Sequence, residues 1–310
     1  MVDDVSRIGN LPCALGLEEL KSLINSGEYL TELNVCGSVA EISDNRVIKY
    51  GSKVTRSEAM ATELIRKETT IRVPRVLSYT TNSSLDSYAR RGYLVMEKLP
   101  GETLLEALLD ITPAQKAIVI EDLREVVSQL RRLDDPRRWG MFGKSGAFHG
   151  GHFNFTRQDD RKAICRPQSP HAMADVRDFA LASLRPSWRE LYENSGRLAE
   201  MIRPAFVERE SRFLHPDLRP ENILVDETTR HITGIIDWAC AGWYPPFWYH
   251  YVALKAQRSY SDGVDVNWRD IYQQVFPLYE KEVDGFSVLL EAAQAEGEDY
   301  CGREMCDCCE

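Results

Sequence analysis

The chain has 310 residues, 43% hydrophobic and 28% charged, a soluble-globular balance with room for two lobes around a cleft, which excludes a small stapled module. A formal net charge of -10 offers no basic face to a phosphate backbone, which argues against nucleic acid, and no run of eighteen apolar residues offers a membrane span. The acidic opening MVDDVSRIGNLPCALG lacks a basic-then-apolar leader, so a cytoplasmic protein is expected, with its eight cysteines as reduced thiols.

Apolar spacing predicts a short helix over residues 17–25, stopped at Ser26-Gly27. Strand-like runs at 33–35, 39–42 and 46–50, separated by Cys36-Gly37-Ser38 and Ser43-Asp44-Asn45, predict an antiparallel meander. A helix over 57–68 ends before Val73-Pro74, because the residue preceding proline is steered out of the helical region. Strands at 75–80 and 92–97 complete a five-stranded antiparallel sheet with one helix, an N-terminal lobe over 1–98. Lys98-Leu99-Pro100-Gly101 then breaks the pattern.

Residues 99–310 are predicted to be a mainly helical C-terminal lobe, giving an α+β protein overall. An amphipathic helix is expected over 113–133 and another over 187–210, with short strands near Phe213-Leu214, at 223–225 and at 232–236, and helices from 247 to 295. Residues 140–170 lack periodicity and exceed an ordinary connection, so they read as an insertion or lid. Cys301, Cys306, Cys308 and Cys309 crowd the acidic last ten residues in a spacing that fits no common zinc pattern, and are expected in a solvated tail.

The densest chemistry is His215-Pro-Asp217-Leu-Arg219-Pro-Glu-Asn222, followed by an apolar strand that ends in Asp237-Trp238. Phosphoryl transfer needs an acceptor for the proton of the incoming hydroxyl and oxygen ligands for magnesium, which neutralises phosphate charge. Asp217 and Asn222 stand five residues apart on one loop, and Asp237 adds a carboxylate across a hairpin. Each alone would pass for an ordinary turn residue or cap. Several fixed spacings agreeing is a stronger signal, because H-x-D-x-x-x-x-N before an apolar strand ending in Asp is the signature of kinase-like folds.

Here the sequence resembles the aminoglycoside phosphotransferase-like kinases, in particular their fungal-type members, over roughly residues 30 to 255. The resemblance implies a protein-kinase-like two-lobe fold that uses magnesium and ATP, or GTP, on a hydroxyl or amine of a small-molecule acceptor. It implies that Asp217 is the catalytic base, that His215 braces the loop, and that Arg219 reaches the terminal phosphate. Asn222 and Asp237 would hold magnesium. Lys49, in RVIKYG, matches the lysine that holds the α and β phosphates, with Glu58 as its partner and Glu63 as the competitor for that place. Gly37 and Ser38 fall in the turn above the phosphates, which lacks the G-x-G-x-x-G of protein kinases. YLVMEKLPGETL resembles the hinge, where Glu97 and Leu99 would meet adenine through their backbone and Met96 would guard the back of an apolar slot.

Two other readings remain. A protein kinase is encouraged by the likeness of HPDLRPEN to HRDLKPEN, but Asp237 is followed by Trp-Ala rather than Phe-Gly, and no A-P-E follows. No Ser or Thr lies between Asp237 and Ser259 to carry a regulatory phosphate. A nucleotide-binding scaffold without catalysis would be expected to have lost one of Lys49, Asp217, Asn222 or Asp237, and all four are present. Pro216, where many aminoglycoside enzymes have glycine, weighs against any one antibiotic as the substrate. The 140–170 segment and the aromatic run from Trp243 to Tyr249 are the candidate acceptor walls, and the sequence is silent on oligomeric state.

Overall fold

In this computed structural model, residues 11, 15–31, 37–43, 45–82, 91–133, 140–142, 190, 196–206, 211–255 and 262–293 are described. Helix α1 (Leu17–Ser26) leads into a sheet of β1 (Glu28–Tyr29), β2 (Ser38–Ser43), β3 (Arg46–Gly51), β4 (Val76–Thr81) and β5 (Gly92–Glu97). Their order is β1-β2-β3-β5-β4, every pairing antiparallel. The outer face of the sheet buries Ala40, Ile48, Tyr93 and Val95 against Leu20 and Ile24 of α1. Its inner face belongs to α2 (Arg56–Glu68), whose N-cap Thr55 accepts a hydrogen bond from the Glu58 backbone.

Helix α2 is buried continuously from Ser57 to Ile65, because it has neighbours on two sides. Ala59 packs with Val54, Val76 and Leu94 of the sheet, while Met60, Ala61, Leu64 and Ile65 join the large core of the rest of the chain. At about 2 kcal/mol for each large apolar side chain taken out of water, Met60, Leu64 and Ile65 facing the large core fix α2 between the sheet and that core.

Beyond the sheet the chain runs through β6 (Glu102–Thr103), α3 (Leu104–Ala107) and α4 (Pro113–Arg131). Helix α4 begins with a reciprocal capping box between Thr112 and Gln115 and with Pro113 in its first turn. Its buried stripe of Val119, Ile120, Leu123, Val126, Val127 and Leu130 has helical spacing and faces the core. Then come β7 (Gly140–Met141), α5 (Arg197–Ile202), a 3-10 turn at Arg203–Phe206, β8 (Arg212–Leu214), β9 (Ile223–Val225), β10 (Ile232–Ile235), β11 (Gly242–Tyr244), α6 (Trp248–Lys255), α7 (Asp262–Val275) and α8 (Glu280–Ala293). Two three-stranded sheets, β10-β9-β6 and β7-β11-β8, sit among these helices. The whole is an α+β, kinase-like architecture. No helix among the described residues is long and apolar enough to cross a membrane.

Helices near 17–25, 57–68 and 113–133 and strands near 39–42, 46–50, 75–80 and 92–97 match the sequence reading within about two residues. The strand expected at 33–35 lies outside the described residues, and the first described strand is instead β1. Of the helix expected over 187–210, the described residues are Glu190, which is helical, α5, and a 3-10 turn where Pro204 lacks the N–H a continuing helix would need. The segment 143–170 and the four C-terminal cysteines also lie outside the described residues. Gly101, the glycine of the hinge-like Leu-Pro-Gly, has φ +111°, and a Cβ there would sit 2.4 Å from the Val225 carbonyl. Only glycine allows the chain to turn there and pair at once as β6 with β9.

Candidate active site

Strand alternation turns Ile48 into the α1 face and Lys49 toward α2. The Lys49 Nζ lies 2.7 Å from Glu58 Oε1 and 2.7 Å from Asp237 Oδ1. Glu58 is held in the first turn of α2, three residues after the Thr55 cap. Glu63 is spent elsewhere: it receives a forked contact from Arg66, and its Oε1 accepts the Val76 N–H at 3.1 Å. Of the two glutamates weighed from sequence, the structure therefore brings Glu58 to Lys49.

Asp237 follows β10 in a left-handed backbone, φ 62°, a conformation that asparagine and aspartate tolerate better than most residues. This turn takes its carboxylate off the strand direction and onto Lys49. The preceding residue locks the hairpin to the loop: Ile236 N–H donates to the Asn222 carbonyl at 3.0 Å, and the Ile236 carbonyl accepts from His215 Nε2 at 2.9 Å. His215 is buried, its ring set edge-on to Trp238 at 4.6 Å, and its backbone N–H donates to the Tyr249 hydroxyl at 3.2 Å.

On the loop, Asn222 Nδ2 donates to both the carbonyl and Oδ2 of Asp217, at 2.9 and 3.0 Å. The Arg219 guanidinium forks onto the same carboxylate, Nε 2.6 Å from Oδ1 and Nη2 3.0 Å from Oδ2. Arg219 thus lies on Asp217. Asp217 at 37% side-chain exposure and Asp237 at 36% are the open carboxylates of the set, whereas Glu58 is 2% exposed.

The buried charges shape one another. Burial opposes the Lys49 ammonium, but the Glu58 and Asp237 carboxylates outweigh it and hold the lysine above its ordinary pKa. Burial pushes the Glu58 carboxyl up to about 7, with Lys49 restraining the rise and Asp237 adding to it. Asp237 is likewise penalised by burial, yet Lys49 more than offsets this and brings it below the usual carboxylate range. Burial also holds His215 below the usual imidazole value, so it is a neutral brace.

The hinge candidates lie where β5 ends. Met96 pairs in register with Val47 and Val76 and packs against the Val54-Ala59-Leu94 cluster. The Glu97 N–H donates to the Arg75 carbonyl at 3.0 Å. Leu99 is buried over Gly234, where a Cβ would meet its Cδ1 at 2.3 Å. Gly37 enters β2 with open space around it, while Ser38 is buried and hydrogen-bonds Tyr50 on the neighbouring strand. Ser38 is therefore engaged within the sheet and not presented to the cleft.

Three neighbours of the site take places that the sequence reading does not give them, Tyr249 being read there only as part of the aromatic run of candidate acceptor walls. Cys240, three residues past Asp237, has its thiol pushed up to about 12 by burial and by the Asp237, Asp217 and Glu58 carboxylates. Trp238 packs edge-on to the His215 ring, and the Tyr249 hydroxyl accepts from the His215 backbone N–H. Their signal was only proximity to Asp237 and membership of an aromatic run, which packing explains equally well.

A model of the phosphotransferase enzyme family, APH, matches residues 53–282. The chain belongs to this phosphotransferase family. The match spans Glu58, Asp217, Asn222 and Asp237 and begins after Lys49, so the lysine's place in the site rests on its geometry. Among solved structures, aminoglycoside-3'-phosphotransferase of type VIII is 18% identical over 88% of this chain and 97% of that one, with a TM-score of 0.50. A thermostable mutant of aminoglycoside phosphotransferase APH(4)-Ia, in ternary complex with AMP-PNP and hygromycin B, is 16% identical over 88% of each chain, also with a TM-score of 0.50. At these identities the likeness establishes that this phosphotransferase shares their fold. No curated protein sequence matches it.

Proposed function

We propose that this member of the phosphotransferase family moves the terminal phosphate of magnesium-bound ATP, or GTP, to a hydroxyl of a small molecule. The observation that carries the reading is the junction of two charge sets. The Lys49-Glu58-Asp237 set and the Asp217-Asn222 loop are joined by the Ile236 N–H on the Asn222 carbonyl.

The donors fit a small hard cation. Asn222 uses its amide nitrogen on Asp217, which leaves its amide oxygen, and Asp237 supplies a carboxylate. No group of three or more His, Cys, Asp or Glu side chains gathers as a metal cage among the described residues. That matches magnesium, which takes one or two protein oxygens and completes its shell with phosphate and water. Bound with the nucleotide, it would supply charge neutralisation on the transferring phosphate.

The chain's own residues do the rest. Lys49, held by Glu58, grips the α and β phosphates, while the backbone of Glu97 and Leu99 and the side chain of Met96 receive the base, with Gly37 above the phosphates. Asp217 orients the acceptor hydroxyl and takes its proton as the oxygen attacks phosphorus, one P–O bond forming as the bond to the β-phosphate oxygen breaks. Arg219, seated on Asp217, shares its charge between the base and the incoming terminal phosphate. His215 keeps the loop in register from below.

The test is a thermal-shift titration with ATP and GTP, with and without magnesium, on wild type and Asp237→Ala, followed by turnover assays against sugars, amines and aminoglycosides. Stabilisation that requires both magnesium and Asp237 is expected. A chain indifferent to both nucleotides would sink the proposal.

A further inference from the structure

Asp217 does not offer its two carboxylate oxygens equally. Oδ2 accepts from Asn222 Nδ2 at 3.0 Å and from Arg219 Nη2 at 3.0 Å, which takes up its lone pairs. Oδ1 meets one partner among the described residues, Arg219 Nε at 2.6 Å. Oδ1 is thus the oxygen with capacity left for an incoming hydroxyl, and it is also the one that the guanidinium crowds. A hydroxyl giving up its proton has to come within about 2.6–3.2 Å of the base, and Arg219 already stands in that range.

The loop does not depend on this contact for its shape. The Leu218 N–H donates to the His215 carbonyl at 3.0 Å, the Asn222 N–H to the Arg219 carbonyl at 2.9 Å, and the Asn222 side chain to the Asp217 carbonyl at 2.9 Å. None of these bonds involves the Arg219 side chain. Arg219 itself has extended backbone, φ -127°, before the 3-10 turn Pro220–Asn222, and its side chain is 21% exposed. The guanidinium can therefore swing about its own side-chain bonds while the base stays in place.

We infer that Arg219 is a cover on the base, drawn off Asp217 Oδ1 by the terminal phosphate of the bound nucleotide. The inference rests on the phosphotransferase reading above. A terminal phosphate has more charge than a carboxylate and three oxygens to meet a planar fork, so it competes with Oδ1 for Arg219. A nucleoside diphosphate ends one phosphate short and does not compete. Nε leaves Oδ1 while Nη2 stays on Oδ2, so Arg219 bridges base and phosphate and Oδ1 opens toward the acceptor. The base is then uncovered only when a transferable phosphate is in place.

The experiment is NMR of the full chain labelled with 15N at arginine, the Arg219 Nε–H signal being assigned by its loss in Arg219→Gln. Magnesium with AMP-PNP and magnesium with ADP are added separately, and the melting temperature is measured on each sample. The Arg219 signal is expected to move with AMP-PNP and to stay with ADP, while both nucleotides raise the melting temperature. In isothermal titration Arg219→Gln is expected to lose about tenfold in affinity for AMP-PNP and to keep its affinity for ADP, as befits one charge-assisted contact. A role in loop structure alone would weaken both nucleotides alike. If Arg219→Gln melts low, Arg219→Lys removes the same signal and carries the same comparison, with a smaller loss confined to AMP-PNP. An Arg219 signal unmoved by AMP-PNP, one moved as far by ADP, or equal losses for the two nucleotides would each overturn the cover while leaving the phosphotransferase reading intact. No melting shift with either nucleotide would sink that reading, and the cover with it.

Discussion

Lys49 and Asp237 meet across 188 residues of chain, and Glu58 comes from a third element, whereas Asp217, Arg219 and Asn222 lie within six consecutive residues. Within the first set Glu58 is 2% exposed and Lys49 15%, whereas Asp237, its member on the side of the loop, is as open at 36% as Asp217 at 37%. The contrast follows from what each is proposed to do. A phosphate grip gains from low dielectric, where the Lys49 ammonium and the buried Glu58 carboxylate interact strongly, and it exists only when the sheet, α2 and the β9–β10 hairpin are assembled. A base has to reach a changing acceptor, so it sits on a short loop whose geometry comes from its own hydrogen bonds.

Substitutions separate the two. The largest effect is expected for Asp217→Asn: a fall of about a thousandfold in kcat, with nucleotide affinity held, since a general base contributes on that order. Nucleotide-binding isotherms beside single-turnover rates would show it, and a loss of affinity as large as the loss of rate would merge the two regions. Lys49→Met strikes the buried set. It leaves Glu58 without its counter-charge, and a melting-temperature drop equivalent to about 3 kcal/mol is expected, at the low end for a broken buried pair because Glu58 can take up a proton. Asn222→Ala falls at the seam. It removes two hydrogen bonds to Asp217 while the Ile236 N–H to residue 222 carbonyl bond stays, so about ten- to a hundredfold in kcat is expected with little change in melting temperature. A large thermal loss there would show the loop to be part of the fold's support.

The two regions also differ in how far sequence discloses them. The loop was legible because its residues sit at fixed short spacings, so Asp217 and Asn222 could be paired on paper. The long strands and helices were legible by period. Strands β6 and β7 were not, because two residues cannot display alternation, and β11 lay hidden in an aromatic run that packing explains equally well. In the buried set Lys49 and Asp237 could be named but not joined, and Glu58 and Glu63 share one helix. What separates the glutamates is tertiary: Glu63 is drawn to Arg66 and the Val76 N–H, where α2 meets β4. The burial that raises the Cys240 thiol, and the engagement of Ser38 with Tyr50, likewise arise only once distant strands are packed.

The smallest effect is in pH dependence, and it distinguishes the regions by sign. Glu58, raised from 4.5 to about 7, takes a proton as the pH falls through 7 and loosens its hold on Lys49. Nucleotide affinity is therefore expected to weaken a few-fold between pH 8 and 6, following a single ionisation. Stability runs the other way. Folded Glu58 binds its proton more tightly than unfolded Glu58, so between about 4.5 and 7 the native state holds more protons and this group's contribution to stability falls as pH rises. Glu58→Gln, neutral at every pH, should flatten both profiles. Parallel titration of nucleotide affinity and melting temperature for wild type and Glu58→Gln makes the comparison. If the wild-type profiles persist in the variant, Glu58 is not the group that ties the phosphate grip to pH, and the assignment passes to another of the buried charges.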